Sequence, residues 1–193
     1  MPDKGKTQLQ TYNQMVFEPD DIVELRLIRK RDEKIVKQWV KAKELPEQVA
    51  MLSRFNQNGY NIYAGPNPRR EAGKSGDANV LLARCLFCDF DGIEPGDGCG
   101  RWEFVLSRII EAKLPEPDMV ICSGHGVHTY WKLEEALHDM DKWRQVQQRM
   151  NSVLDADTTI KNPERIMRLP GFLNVKEKPF QESFIIDCRD ATK

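Results

Sequence analysis

The chain has 193 residues, 40% of them hydrophobic and 31% charged, with a formal net charge of −1. That length and apolar content suit one domain with a real core, and no apolar run approaches the ~18 residues that a membrane-spanning helix needs. The polar start, Met1 to Gln10, has no apolar signal region, so a cytoplasmic protein without membrane contact is expected.

Residues 1–15 carry few apolar anchors and read as a flexible N-terminus. Val23 to Ile28 reads as a strand, Arg29 to Lys34 as a charged turn, and Ile35 to Val40 as the returning strand. Pro46 in a first helical turn, then Val49, Leu52 and Phe55, with Asn58-Gly59 as a stop, predict a short helix. Tyr60 to Ala64 is a further strand. Pro66 to Asn79 is a long polar loop, and ordered loops of that length are often functional. Val80 to Asp91 reads as a buried strand, followed by a glycine-rich loop from Pro95 to Gly100. Trp102, Val105, Leu106, Ile109 and Lys113 share one helical face. Met119 to Cys122 and Val127 to Leu133 are strands broken at Ser123 to Gly126. Asp141, Trp143, Val146, Met150, Val153 and Leu154 describe a capped amphipathic helix. Asn162 reads as the N-cap of another, with Pro163 at its first position and Pro170 as its stop. Phe184 to Asp187 is a last strand. A hairpin first, then an irregular mixture, favours an α+β sheet with helices packed on it over a doubly wound parallel sheet.

Five cysteines, an odd number, argue against a closed disulfide framework. Cys85 and Cys88 form a CxxC. On a strand, residues three apart point to opposite faces, so the pair is not expected to chelate zinc. Ala72 to Gly76 resembles the end of a phosphate-binding P-loop, but Pro68 stands where that motif needs glycine.

Three clusters carry chemistry. Asp89 and Asp91 lie two apart at the end of an apolar strand and project from one face. Such a pair is costly unless neutralised, and a hard divalent cation does so; solvated turn aspartates are the simpler alternative. Ser123-Gly124-His125-Gly126-Val127-His128 follows. Its glycines admit close backbone approach, its amides can form an anion nest, and Ser123 and His128 are donors toward phosphate. His125 and His128 are separated by two residues, which is not the histidine pair of a nickase. The third cluster holds Asp155 and Asp157, then Arg165 and Arg168. Three apart on the expected helix, the two arginines would share a face suited to a triphosphate or template phosphate. The charge distribution agrees. Residues 1–75 hold 14 Lys and Arg against 10 Asp and Glu, and residues 76–193 hold 15 against 20. A basic first part suits a phosphate backbone, and an acidic remainder suits carboxylates gathered on metal.

In this order, CDFDG, SGHGVHTYW and ADTTIKNPERIMRLPGFLN resemble the three motifs of the archaeo-eukaryotic primase superfamily, in its plasmid and phage primase-polymerase branch. The resemblance spans roughly residues 60 to 175. It implies an RRM-like antiparallel or mixed sheet with packed helices, joined to a smaller α/β unit. The division expected is a smaller unit over about 16–79 and an RRM-like catalytic part over about 80–193, together one catalytic core. The resemblance also implies template-dependent nucleotidyl transfer with two Mg²⁺ or Mn²⁺ ions on Asp89, Asp91 and Asp157, Asp155 being the competitor for the third place. Ser123, Gly124, His128, Arg165 and Arg168 match nucleotide-binding positions. Asn67, Arg69 and His125 are expected nucleotide or template contacts. Many relatives carry a basic residue and an extra position inside the second motif, where this chain has only His125. The partners implied are nucleoside triphosphates, a single-stranded DNA template, and a helicase or helical priming domain in a longer parent protein. The alternatives are a catalytically inactive nucleic-acid-binding initiator module and a metal-dependent nuclease.

Overall fold

The computed structural model describes residues 2–91 and 98–189. It opens on a helix, α1, Pro2–Val16. Leu9, Tyr12, Met15 and Val16 are buried on it, the three- and four-residue spacing of a core-facing stripe. The expected flexible N-terminus is therefore corrected: few apolar residues suffice when each lies on one face. Tyr12 packs edge-on against Tyr130, their ring centroids 5.9 Å apart, and Gln8 Oε1 accepts the Ile185 amide at 2.7 Å.

Strands β1 (Ile22–Arg29) and β2 (Lys34–Lys41) form the expected hairpin, paired from Ile22↔Lys41 to Arg29↔Lys34. A 3-10 run, Ala42–Gln48, contains Pro46 and leads into α2, Val49–Gln57. Strand β3, Asn61–Ala64, pairs with β1. The second sheet holds β4 (Ala83–Phe90), β5 (Met119–Cys122), β6 (Val127–Leu137), β8 (Phe172–Asn174) and β9 (Gln181–Cys188) in the order β4-β6-β5-β9-β8. Helix α3, Gly98–Glu111, connects β4 to β5, and α4, Met140–Leu154, follows β6. The N-cap of α4 is Asp139, which accepts from the Asp141 and Lys142 amides. Residues 95–97 of the expected glycine-rich loop lie outside the described residues.

The helix expected from Asn162 does not form. Residues 163–164 make a turn, and Met167–Arg168 becomes a two-residue strand, β7, on the edge of β3, with the first sheet ordered β2-β1-β3-β7. An open strand edge offers unpaired backbone groups that outweigh a short local helix preference. The division expected near residue 80 separates β1–β3 from β4–β6, but β7 returns to the first sheet. Among the described residues, the paired strands run antiparallel. The α+β architecture, with a βαββα run at its centre, is the expected one.

One core cluster draws on both sheets, α1 and α2; a second fills the space between α3 and the opposite face of the second sheet. Cys85 belongs to the first and Cys88 to the second, so the CxxC thiols face opposite ways. Among the described residues, no helix is long and apolar enough to cross a membrane.

The long loop at 66–79 is held by buried charge. Arg69 donates from Nε to Glu24 Oε2 at 2.8 Å, from Nη1 to the Asn67 carbonyl at 2.7 Å and from Nη2 to the Glu164 carbonyl at 3.0 Å. Both side chains of the Arg69–Glu24 pair are fully buried. Ser75 Oγ and Arg26 Nε donate to the other Glu24 oxygen, and the Gly76 amide donates to Glu164 Oε2. Asn67 donates to the Pro163 carbonyl. Asn67 and Arg69 are the residues expected to contact nucleotide or template. Both are inside the protein, and the guanidinium is committed to internal acceptors. We expect Arg69→Met to cost up to about 3–5 kcal/mol, because it leaves Glu24 Oε2 and the Asn67 and Glu164 carbonyls buried without their donor, with Arg26 and Ser75 still holding Glu24 Oε1. Chemical denaturation should show Arg69→Met/Glu24→Gln losing less than Arg69→Met alone.

Candidate active site

Strand β4 sends Cys85, Phe87 and Asp89 to one face and Leu86, Cys88 and Phe90 to the other. Asp89 thus stands where a buried apolar row runs out. Its direct cross-strand partner is His128 on β6, so both enter the same space. A cavity of about 170 Å³ lies there, lined by Asp89, Asp91, Ser123, His125 and His128 on the side of the second sheet. Tyr63 and Arg168, paired across β3 and β7, close it from the first sheet.

The Ser123–Gly126 turn is shaped by contacts at its glycines. The Ser123 amide donates to the Gly126 carbonyl at 2.9 Å, and Arg101 Nη1 donates to the Gly124 carbonyl at 2.9 Å. Gly124 has φ +97°, and a Cβ there would meet Asn174 Cβ at 2.9 Å. A Cβ on Gly126 would meet the Phe90 carbonyl oxygen at 2.4 Å and Asp91 Oδ1 at 3.0 Å. Both positions need glycine, the first also for its backbone conformation.

Arg168 is buried. Its guanidinium donates to Asn61 Oδ1 at 2.6 Å and to the Tyr63 hydroxyl at 3.0 Å, and lies 4.8 Å from the Tyr63 ring centroid. Burial pushes Arg168 down, with Tyr63 and Asp89 opposing. Arg165 does not share a helical face with it, since the helix is absent. It donates from Nη2 to Thr159 Oγ1 at 2.6 Å and lies 3.8 Å from Asp157 Oδ2.

Asp157 is brought next to Asp89 through the backbone: its amide donates to the Asp89 carbonyl at 2.9 Å. Its carboxylate accepts from the Thr159 amide and hydroxyl, each at 2.8 Å. Asp155, the competitor, ends α4 in a left-handed conformation, φ 50°, and its exposed carboxylate pairs with Arg108 at 3.1 Å. Of the two, Asp157 is the one tied to Asp89.

Burial, then Asp91 and Asp157, push the Asp89 carboxyl up to about 8, against the smaller opposing pull of Arg165 and Arg168. Asp89 Oδ1 is buried with no hydrogen-bond partner. Burial and Arg168 push His128 down to about 3, so its imidazole is neutral at ordinary pH. The 3.5 Å approach of His128 Nε2 to Asp89 Oδ1 is therefore no ion pair, and His128 Nδ1 has no partner.

An orphaned, buried carboxylate oxygen beside a second aspartate is a donor set that fits a hard divalent cation, which would restore the ionised form. Among the described residues, no three His, Cys, Asp or Glu side chains already converge as a metal cluster. Asp89 and Asp91 share the cavity, and Asp157, its carboxylate held by Thr159, flanks it. The oxygens of Asp157 keep lone pairs beyond those that Thr159 uses.

Tyr63, Asn174 and Lys176 also line the cavity and were not singled out from the sequence. Asn174 Nδ2 donates to the Ser123 carbonyl at 3.0 Å. Lys176 sits in a Lys-Glu-Lys run that reads as ordinary surface; its position just beyond the strand that braces Ser123 is the signal that could have found it.

The raised Asp89 means that the fold favours the protonated carboxyl. This group therefore costs increasing stability as pH rises from about 4, its ordinary value, through about 8. We expect the Tm difference between Asp89→Asn and wild type, both metal-free, to grow in favour of the variant from pH 5 to pH 9. A pH-independent difference in calorimetry would contradict the assignment.

No protein-family model matches the chain, and neither does any curated protein sequence. Solved structures do. The AEP domain of the cyanophage S-2L primase-polymerase aligns at TM-score 0.70 and 22% identity, covering 94% of this chain and 89% of that one. Primase RepB′ aligns at TM-score 0.68 and 16% identity, and this chain spans 57% of its length. The catalytic domain of RepB′, solved in complex with initiator DNA, aligns at TM-score 0.67 and 17% identity over 85% of its length. The chain therefore has the fold of an archaeo-eukaryotic primase catalytic domain.

Proposed function

We propose that the chain performs template-dependent nucleotidyl transfer, as a DNA primase or polymerase using nucleoside triphosphates. The carrying observation is the orphaned Asp89 Oδ1 beside Asp91, in a cavity also lined by Arg168 and Lys176. Carboxylates and cations lining one cavity suit a cation–triphosphate complex.

Asp89 and Asp91 would hold Mg²⁺ or Mn²⁺, with Asp157 completing the set. Two such ions would supply the charge that activates a 3′-hydroxyl and neutralises the leaving pyrophosphate. The neutral His128 keeps one N–H to donate to a phosphate oxygen. Ser123 and the glycine turn supply a hydroxyl and backbone amides, and Arg168 and Lys176 fix the triphosphate charge. Tyr63 and Asn61 hold the Arg168 guanidinium in place for that task. A single-stranded DNA template is the partner this reading requires, and the initiator DNA bound by the RepB′ domain supports it. A helicase or priming domain would act in a longer parent protein.

A second reading, a nucleic-acid-binding module without turnover, is favoured by one observation: the Asp157 carboxylate is engaged by Thr159 rather than directed into the cavity. The assay that separates the two readings supplies single-stranded template, with and without primer, labelled nucleotides and Mn²⁺ or Mg²⁺. We expect incorporation by wild type and a loss of at least about 10²–10³-fold in Asp89→Ala/Asp91→Ala. No incorporation in either format by folded protein selects the binding module. Breakdown of the template without added nucleotide selects a nuclease.

A further inference from the structure

Strand β4 ends its sheet, so the backbone groups along its outer edge have no strand to pair with. They are nonetheless met. Trp143 Nε1 donates to the Cys85 carbonyl at 3.2 Å. Gln147 Nε2 donates to the Phe87 carbonyl at 2.6 Å, and its Oε1 accepts the Phe87 amide at 3.2 Å. The Asp157 amide then meets the Asp89 carbonyl. A side-chain amide is here doing what a neighbouring strand would do, with one donor and one acceptor on a single residue.

Gln147 is linked onward. Its Nε2 also donates to Asn151 Oδ1 at 2.9 Å, one helical turn along α4. The same Asn151 oxygen accepts from Cys88 Sγ at 3.2 Å. Asn151 Nδ2 donates to the Ile160 carbonyl at 2.7 Å, and the Asn151 carbonyl accepts the Ala156 amide at 2.9 Å. Both side chains are fully buried. A helix that only had to cover a sheet edge would bury leucine there; two amides are tolerated because each of their side-chain nitrogens and oxygens has a partner. One end of the pair grips β4 beside Asp89, and the other grips the segment that carries Asp157.

We propose that Gln147 and Asn151 are positioning residues that fix Asp157 relative to Asp89 and thereby set the affinity of the site for a divalent cation. This rests on the metal-dependent reading of the site above. Neither residue touches the cavity, so both act through the aspartates. Groups that orient metal ligands typically change affinity by about 10- to 100-fold when removed.

The test measures Mn²⁺ binding by electron paramagnetic resonance on the protein alone, without nucleotide or template, alongside thermal melts. Gln147→Met and Asn151→Leu keep size and burial and remove the amides. Trp143→Phe removes the Cys85 bond on the same edge, farther from the aspartates, and serves as the control for lost stability. We expect Mn²⁺ to bind about 10- to 100-fold more weakly to Gln147→Met and Asn151→Leu, and with wild-type affinity to Trp143→Phe even where the melts shift equally. Wild-type Mn²⁺ affinity in a folded Gln147→Met or Asn151→Leu overturns the inference. So does a loss of affinity that simply follows Tm across all three variants. Should the larger changes not fold, Asn151→Ser, which removes the bond to Ile160, is held to the same criterion. If wild type binds no more Mn²⁺ than Asp89→Ala/Asp91→Ala, the metal reading itself falls; if wild type binds and the amide variants match it, only the positioning role does.

Discussion

A strand that ends a sheet leaves half its backbone groups without partners, and an interior strand cannot leave them so. Strand β4 meets both conditions, being buried at most of its positions and last in its sheet. The rest of the architecture follows from how that edge is closed. Helix α4 must lie along it to deliver Trp143 and Gln147. The chain leaving α4 must turn back at Asp155, in a left-handed conformation, so that the Asp157 amide reaches Asp89. From there it continues to β7, which delivers Arg168 to the cavity wall. Backbone satisfaction thus gathers acidic groups that would otherwise repel one another.

The second constraint is the buried ion pair of Arg69 and Glu24. It lets a long polar loop be ordered without an apolar core of its own, because its fixed points are charges and carbonyls. Charge buried in this way adds little net stability but tolerates few alternatives. The same network reaches Glu164, just before the segment that carries Arg165 and Arg168.

The parts of the fold that were legible in the sequence are those set by local period. The β1–β2 hairpin, β4, β5, β6, α3 and α4 all show their alternation or their three-four spacing within one element. The aspartate pair and the glycine turn were legible for the same reason: strand geometry puts Asp89 and Asp91 on one face, and Gly124 and Gly126 mark a tight turn. What was not legible depended on distant partners. Helix α1 has a sparse stripe whose value appears only against Tyr130 and β9. The segment after Asn162 has good helix signals, yet β3 captures it as β7. Arg69 looks like a ligand residue until Glu24, 45 positions away, is placed beside it. Tyr63 and Lys176 look unremarkable until β7 and β8 carry their neighbours to the cavity.

The return of Met167–Arg168 to the first sheet has a consequence for how such a domain is inherited. A gene cut between the two sheets, near codon 80, would part β3 from β7 and Tyr63 from Arg168. The first piece would keep an open edge, and the second would carry a buried arginine with neither Asn61 nor Tyr63 to receive it. The two layers are therefore not exchangeable modules. What joins them is the β3–β7 pairing and the hold of Asn61 and Tyr63 on Arg168.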